Sequence, residues 1–140
     1  MAHWVDAVNW DTFWLYVLAE AAGGSPEVLL LGSGSEVGLC VAAHERLTAD
    51  GIRSRVVSMP SWELFEHQDQ AYRDAVLPPK VTARVAVEQA STFGWARYAP
   101  RAIGMDTFGA SAPLKELQRK FGFTVDAVVS AARQSLAGTA

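Results

Sequence analysis

Val28-Leu29-Leu30-Leu31 is an unbroken apolar run, closed by Pro26 on one side and Gly32 on the other. A strand that is apolar at every position has no polar face to offer water, so both faces of its sheet must be covered. The run therefore predicts a central strand of a parallel sheet with helices above and below. Gly32-Ser33-Gly34-Ser35-Glu36 follows it, where the glycines permit a tight turn and Ser33-x-x-Glu36 has the spacing of a capping box. A helix is expected to start there. Val37, Cys40, Val41, His44 and Leu47 continue at three- and four-residue spacing, and Gly51 stands where a helix end favours a left-handed residue.

The remaining chain repeats the alternation. Residues 53–59 read as the next strand, with Val56 and Val57 at its centre, and Pro60 closes it before Ser61 caps another helix. A strand, helix, strand unit of this length implies parallel strands joined by a right-handed crossover. Trp62, Leu64 and Phe65, then Tyr72, Val76 and Leu77, place apolar side chains along one side of one or two helical segments that end at Pro78-Pro79. Residues 81–87 alternate Val81, Ala83, Val85 and Val87 with Arg84 on the other face, a third parallel strand, and 102–105 form a further one. Helices are expected over 112–121 and 125–136, the second capped by Thr124. Before the central run, residues 15–18 read as an edge strand that ends at the turn Gly23-Gly24-Ser25-Pro26. The pattern is that of a three-layer α/β sandwich. Residues 1–14 hold Trp4, Trp10, Phe13 and Trp14 without helical or alternating spacing, and are read as a tail or linker whose aromatics need a covering surface.

Composition bounds the function. The 140 residues suffice for one domain, here 15–140. With 50% apolar and 19% charged residues and a mean hydropathy of +0.10, neither a disordered nor a membrane chain is indicated. The net charge of −3 with no basic stripe argues against nucleic acid as a partner. A single cysteine, Cys40, forms no internal disulfide, and Asp6, Asp11 and Glu20 do not suit a signal peptide, so a cytoplasmic location is expected.

The candidate chemistry is sparse. Gly32-x-Gly34-x-x-x-Gly38 lies between a buried strand and a helix, so Gly32, Ser33, Gly34, Ser35 and Glu36 are candidates for an anion site on helix amides. The spacing departs from the dinucleotide fingerprint, and Val57-Ser58-Met59-Pro60 offers no acid for a ribose, so a capped turn is the simpler reading. Cys40 and His44 share a helix face but no second pair completes a metal site, and His67 and Asp69 have only each other. In Gly34-Ser35-Glu36-Val37-Gly38 the serine stands one place too early for a nucleophile elbow. Glu88 is the best-placed carboxylate, at the end of the third parallel strand, where a structural role accepting hydrogen bonds from a loop or an arginine is expected. Ser111 reads as a cap for the helix that starts at Pro113. Glu88, Trp95, Asp106 and Ser111 are kept as loop or interface candidates. No residue is assigned a catalytic, cofactor-binding or metal-binding role.

A series of blocks resembles the C-terminal domain of the transketolase family. They include Val28 to Val37, Arg55-Val56-Val57-Ser58-Met59-Pro60-Ser61, Phe65-Glu66-His67-Gln68-Asp69, Tyr72-Arg73, Val85-Ala86-Val87-Glu88, Gly94-Trp95, Gly104-Met105-Asp106-Thr107-Phe108-Gly109-Ala110-Ser111-Ala112-Pro113 and Phe121-Gly122-Phe123-Thr124. The resemblance implies a five-stranded mixed sheet, its first strand antiparallel to the other four, with helices on both faces. It also implies an enzyme that moves a two-carbon ketol unit between sugar phosphates, using thiamine diphosphate and Mg2+ in a homodimer. In the family the cofactor site is built by the two preceding domains. The Gly-Asp-Gly motif with its later Asn-Asn pair is not found in this chain, so no family catalytic residue carries over and no cofactor is expected to bind this chain alone. Two features depart from the family: the short connection Ala99-Pro100-Arg101-Ala102, and residues 1–14. The expected role is a structural, dimer-assembly or regulatory part of such an enzyme, partnered by the remaining domains or by a second copy. Some of Trp4, Trp10, Trp14, Trp62 and Trp95 are then expected to be exposed or covered by self-association. The alternatives are an anion- or nucleotide-binding regulatory module at the 32–38 turn, and a subunit of another thiamine-diphosphate enzyme, over which the residues from Arg55 to Gln70 favour transketolase.

Overall fold

The structure, a computed structural model, describes residues 16–105, 114–120 and 122–138. Five strands, β1 (Tyr16–Ala19), β2 (Val28–Gly32), β3 (Ser54–Ser58), β4 (Arg84–Ser91) and β5 (Arg101–Met105), form one sheet in the order β1-β3-β2-β4-β5. β1 pairs antiparallel with β3 at the edge, and the other pairings are parallel. The helices are α1 (Val37–Ala49), α2 (Trp62–Glu66), α3 (Gln70–Val76), α4 (Leu114–Lys120) and α5 (Val125–Ala137), with short 3-10 turns at Gly34–Glu36 and Trp95–Arg97. The mixed sheet and the covered central strand agree with the sequence-based expectation.

β2 is buried along its whole length because its side chains serve two cores in alternation. Val28 and Leu30 join Val56, Val85 and Val87 against Cys40, Ala43 and Leu47 of α1 and Val128 and Ala132 of α5. Leu29 and Leu31 join Val57 and Ala86 against Phe65, Val76, Leu77, Trp95 and Tyr98. Each such leucine contributes about 1.5–3 kcal/mol through burial. This two-sided demand gives the apolar run its continuity.

Three of the helices are started by side chains. Ser61 accepts the Leu64 amide (3.4 Å), Asp69 the Tyr72 amide (2.7 Å) and Thr124 the Ala127 amide (3.2 Å). Gly51 adopts φ +79°, the left-handed conformation expected at that helix end. Arg46–Asp126 and Arg133–Asp50 ion pairs join α1 to α5, but their exposure limits what they add.

Three expectations are corrected. Ser33 does not cap a helix: its side chain is engaged elsewhere, Gly34–Glu36 forms a 3-10 turn, and α1 starts at Val37. The third parallel strand runs over Arg84–Ser91 rather than 81–87, and Val81 packs in the opposite core from Val85 and Val87. The break has a cause, because the Arg84 guanidinium gathers the carbonyls of Leu77, Pro78 and Val81 and so turns the backbone before the strand begins. Leu64, expected on the apolar side of α2, is 39% exposed. Residues 1–14, with Trp4, Trp10 and Trp14, lie outside the described residues.

Candidate functional site

From β2 the chain passes to β3 on one side, and it later enters β4 on the other, so the strand order reverses between β2 and β4. In open α/β sheets this switch point, at the carboxyl ends of the strands, is where a ligand crevice forms. The residues following β2 and those ending β4 supply its walls, and they include the candidates Gly32, Ser33, Gly34, Ser35, Glu36 and Glu88.

The structure brings these six together. Ser33 Oγ donates to Glu88 Oε2 at 3.1 Å, and Glu88 Oε1 accepts the Ala90 amide at 3.2 Å, so one carboxylate spans the crevice. Ser35 Oγ donates to Glu36 Oε1 at 2.7 Å, and Glu36 is buried. Gly34 holds φ +55°, and a Cβ on Gly32 would meet Cys40 Sγ at 3.2 Å and the Val37 amide nitrogen at 3.3 Å. The glycine at 32 thus lets α1 begin close against the strand. The polar groups set at this turn are two carboxylates and two serines already bonded to them. Negative charge repels a phosphate, and the Ser33–Glu88 hydrogen bond links the turn after β2 to β4. The anion-module reading is not favoured.

Cys40 and His44 share a buried face of α1 yet do different things. Burial, and secondarily the nearby Glu36 carboxylate, push the Cys40 thiol up to about 12, which leaves it protonated and unreactive. His44 Nδ1 and Ser54 Oγ share a hydrogen bond of 2.8 Å between α1 and β3. His67 Nδ1 instead meets the Glu63 carbonyl of its own helix at 2.7 Å, while Asp69 caps α3. Among the described residues no group of three or more His, Cys, Asp or Glu side chains could hold a metal ion.

His44 yields a pH prediction. Burial lowers its pKa below the usual 6.5, only partly opposed by Ser54, Glu45 and Glu20. The unfolded chain therefore takes up this proton before the folded one does, and stability falls as pH drops through the window beginning near 6.5. Urea midpoints between pH 7.5 and 5 are expected to decline, and His44→Gln to flatten that decline. An unchanged slope in the variant would refute it.

Trp95, a loop or interface candidate, is fully buried, with its ring edge-on to Trp62 (centroids 5.0 Å apart, 78° between planes). Its place is in the core beneath β4. Trp62 is partly buried beside it, and Asp106 and Ser111 lie outside the described residues. Sequence reasoning missed a polar network on this side of the sheet. Glu66 accepts the Tyr98 hydroxyl and an Arg73 guanidinium hydrogen at 3.3 Å, with Arg97 at 3.7 Å. Burial, then the Glu66 bond, push the Tyr98 phenol up to about 12. The network ties α2 and α3 to the 3-10 turn Trp95–Arg97. Also missed was Phe93, 89% exposed, whose only signal is its place between Thr92 and Gly94.

The family model of the transketolase-like TK C-terminal domain matches residues 15–124. A transketolase of Geobacillus stearothermophilus is 52% identical over 117 residues, covering 81% of this chain and 18% of that protein. Among solved structures, transketolase from Leishmania mexicana superposes with a TM-score of 0.81 at 43% identity, over 87% of this chain and 18% of that one. A split-gene transketolase, described as an inactive β4 tetramer, shares the fold with a TM-score of 0.66 at 23% identity, over 88% of this chain and 42% of that one. The chain thus spans less than a fifth of the curated relative's length.

Proposed function

Since this chain belongs to the transketolase family and corresponds to its C-terminal domain, we propose that it is a non-catalytic assembly domain of a thiamine-diphosphate transketolase. The whole enzyme would transfer a two-carbon ketol unit from a ketose phosphate to an aldose phosphate, in the pentose phosphate pathway of the cytoplasm and as a homodimer. This chain's contribution is to stabilise that assembly. Its partners are the remaining transketolase domains, on a longer chain or a separate polypeptide.

The reading is supported by a family domain whose switch-point crevice is crossed by the Ser33–Glu88 hydrogen bond. Among the described residues, the polar groups of the crevice do not fit thiamine diphosphate and its Mg2+. Glu88 is engaged by Ser33 and the Ala90 amide, Glu36 is buried and bonded to Ser35, and no set of three potential metal-ligating side chains stands together among the described residues. The described residues also contain no helix long and apolar enough to cross a membrane.

Calorimetric titration of the chain with thiamine diphosphate in the presence of Mg2+ tests the cofactor part. No heat of binding is expected up to millimolar ligand, and a saturable isotherm would overturn it.

A further inference from the structure

Single exposed apolar side chains are common and need no explanation; what sets Phe93 apart is how firmly its backbone is held. Gly94 has φ +89°, and a Cβ there would stand 2.5 Å from the Trp62 ring. On the other flank, a Cβ on Gly104 of β5 would stand 2.1 Å from Thr92 Cγ2 and 3.2 Å from the Glu88 carbonyl oxygen. Ser91 Oγ accepts the Phe93 amide at 3.2 Å, and the Thr92 carbonyl accepts the amide of buried Trp95 at 3.1 Å. Two glycines and two hydrogen bonds thus clamp residues 91–95 and present the phenyl ring to solvent. An aromatic on a rigid turn loses little conformational freedom when it docks, the property of a preorganised binding anchor.

The position of this turn indicates what covers it. β1 is antiparallel, so its first residue, Tyr16, pairs with Ser58 at the carboxyl end of the sheet. Gly32 pairs with Ser58, and Ser91 with Met105, at that same end. In relatives of which the matched C-terminal domain is 18%, whatever precedes the domain is tethered where β1 begins. That tether lies about three strand spacings, roughly 14 Å, across the sheet from β4 and its Phe93 turn. Trp62, whose ring lies against Gly94, belongs to α2, and the exposed Arg97 follows in the next turn, so the Phe93 ring stands on a surface of mixed character.

We infer that Phe93 is an anchor that inserts into an apolar pocket on the preceding body of the transketolase. The inference rests on the assembly-domain reading above and adds to it the contact that holds the domain in place.

The test uses the full-length Geobacillus stearothermophilus enzyme with residues 15–138 of this chain replacing its own matching segment, compared with Phe93→Ser and Lys80→Ser. Lys80 is exposed at the opposite end of the sheet, before β4. The readout is the rate of limited proteolysis at the tether. Phe93→Ser is expected to raise it roughly tenfold or more, as loss of an interface anchor does, and Lys80→Ser to leave it unchanged. In the 140-residue chain alone, Phe93→Ser should leave the melting temperature unchanged, showing that the ring serves docking and not folding. Equal protection of Phe93→Ser and the unsubstituted chimera would overturn the anchor while leaving the assembly domain standing. A chimera whose tether is unprotected even with Phe93 would overturn both.

Discussion

Trp95→Ala is expected to destabilise the chain by about 3–5 kcal/mol, the range for truncating a large aromatic in a core. Trp95 heads the fully buried side chains by volume. Its ring meets Trp62 edge-on, and Trp62 in turn meets Tyr98 with centroids 5.7 Å apart, so removal leaves a cavity and takes away an aromatic contact that adds about 0.5–1.5 kcal/mol. The indole Nε1 is buried without a hydrogen-bond partner. Polarity therefore contributes nothing favourable at this position, and Trp95→Phe should cost far less than Trp95→Ala. For a domain of this size the alanine variant should melt about 10–20 °C lower. Calorimetric melting of both variants checks the ordering; equal losses would mean that the indole nitrogen matters after all.

Arg84→Leu is expected to cost about 3 kcal/mol. The guanidinium donates to the carbonyls of Val81 (2.8 Å), Pro78 (2.9 Å), Tyr98 (3.2 Å) and Leu77 (3.3 Å), drawing the approach to β4 and the approach to β5 onto one side chain. Burial pulls its pKa below the usual value without threatening its charge. Each acceptor left buried without a donor costs about 1–3 kcal/mol, and water reaching some of them reduces the sum. Arg84→Lys should recover less than half of the loss, because a single ammonium cannot reproduce a planar fork that serves four oxygens. Urea denaturation gives the comparison, and a leucine variant within 1 kcal/mol of the parent would show that the carbonyls are hydrated.

The central strand, its glycine turn, the caps Ser61 and Thr124 and the left-handed Gly51 were all legible in the sequence, because each depends on its neighbours along the chain. What escaped depends on partners far away. Ser33 has the spacing of a capping residue, but Glu88, 55 residues on, competes for its hydroxyl and wins. Val81 keeps the alternation of Ala83, Val85 and Val87, yet Arg84 bends the backbone between them. Trp95 stands in a short connection after Gly94 that reads as loop, and only the packing of Trp62 and Tyr98 around it reveals a core residue. Phe93 is conspicuous only once the clamping roles of Gly94 and Gly104 are known, and neither can be read from local spacing. The resemblance to transketolase supplied the family, while the Ser33–Glu88 bond across the switch-point crevice joins residues too far apart in sequence to be paired by spacing.

Activity is expected only of an assembly of which this chain is one part. The decisive measurement is a coupled transketolase assay on the purified 140-residue chain with thiamine diphosphate, Mg2+, a ketose phosphate donor and an aldose phosphate acceptor. The predicted result is no turnover above the protein-free background; saturable turnover that requires thiamine diphosphate would contradict it.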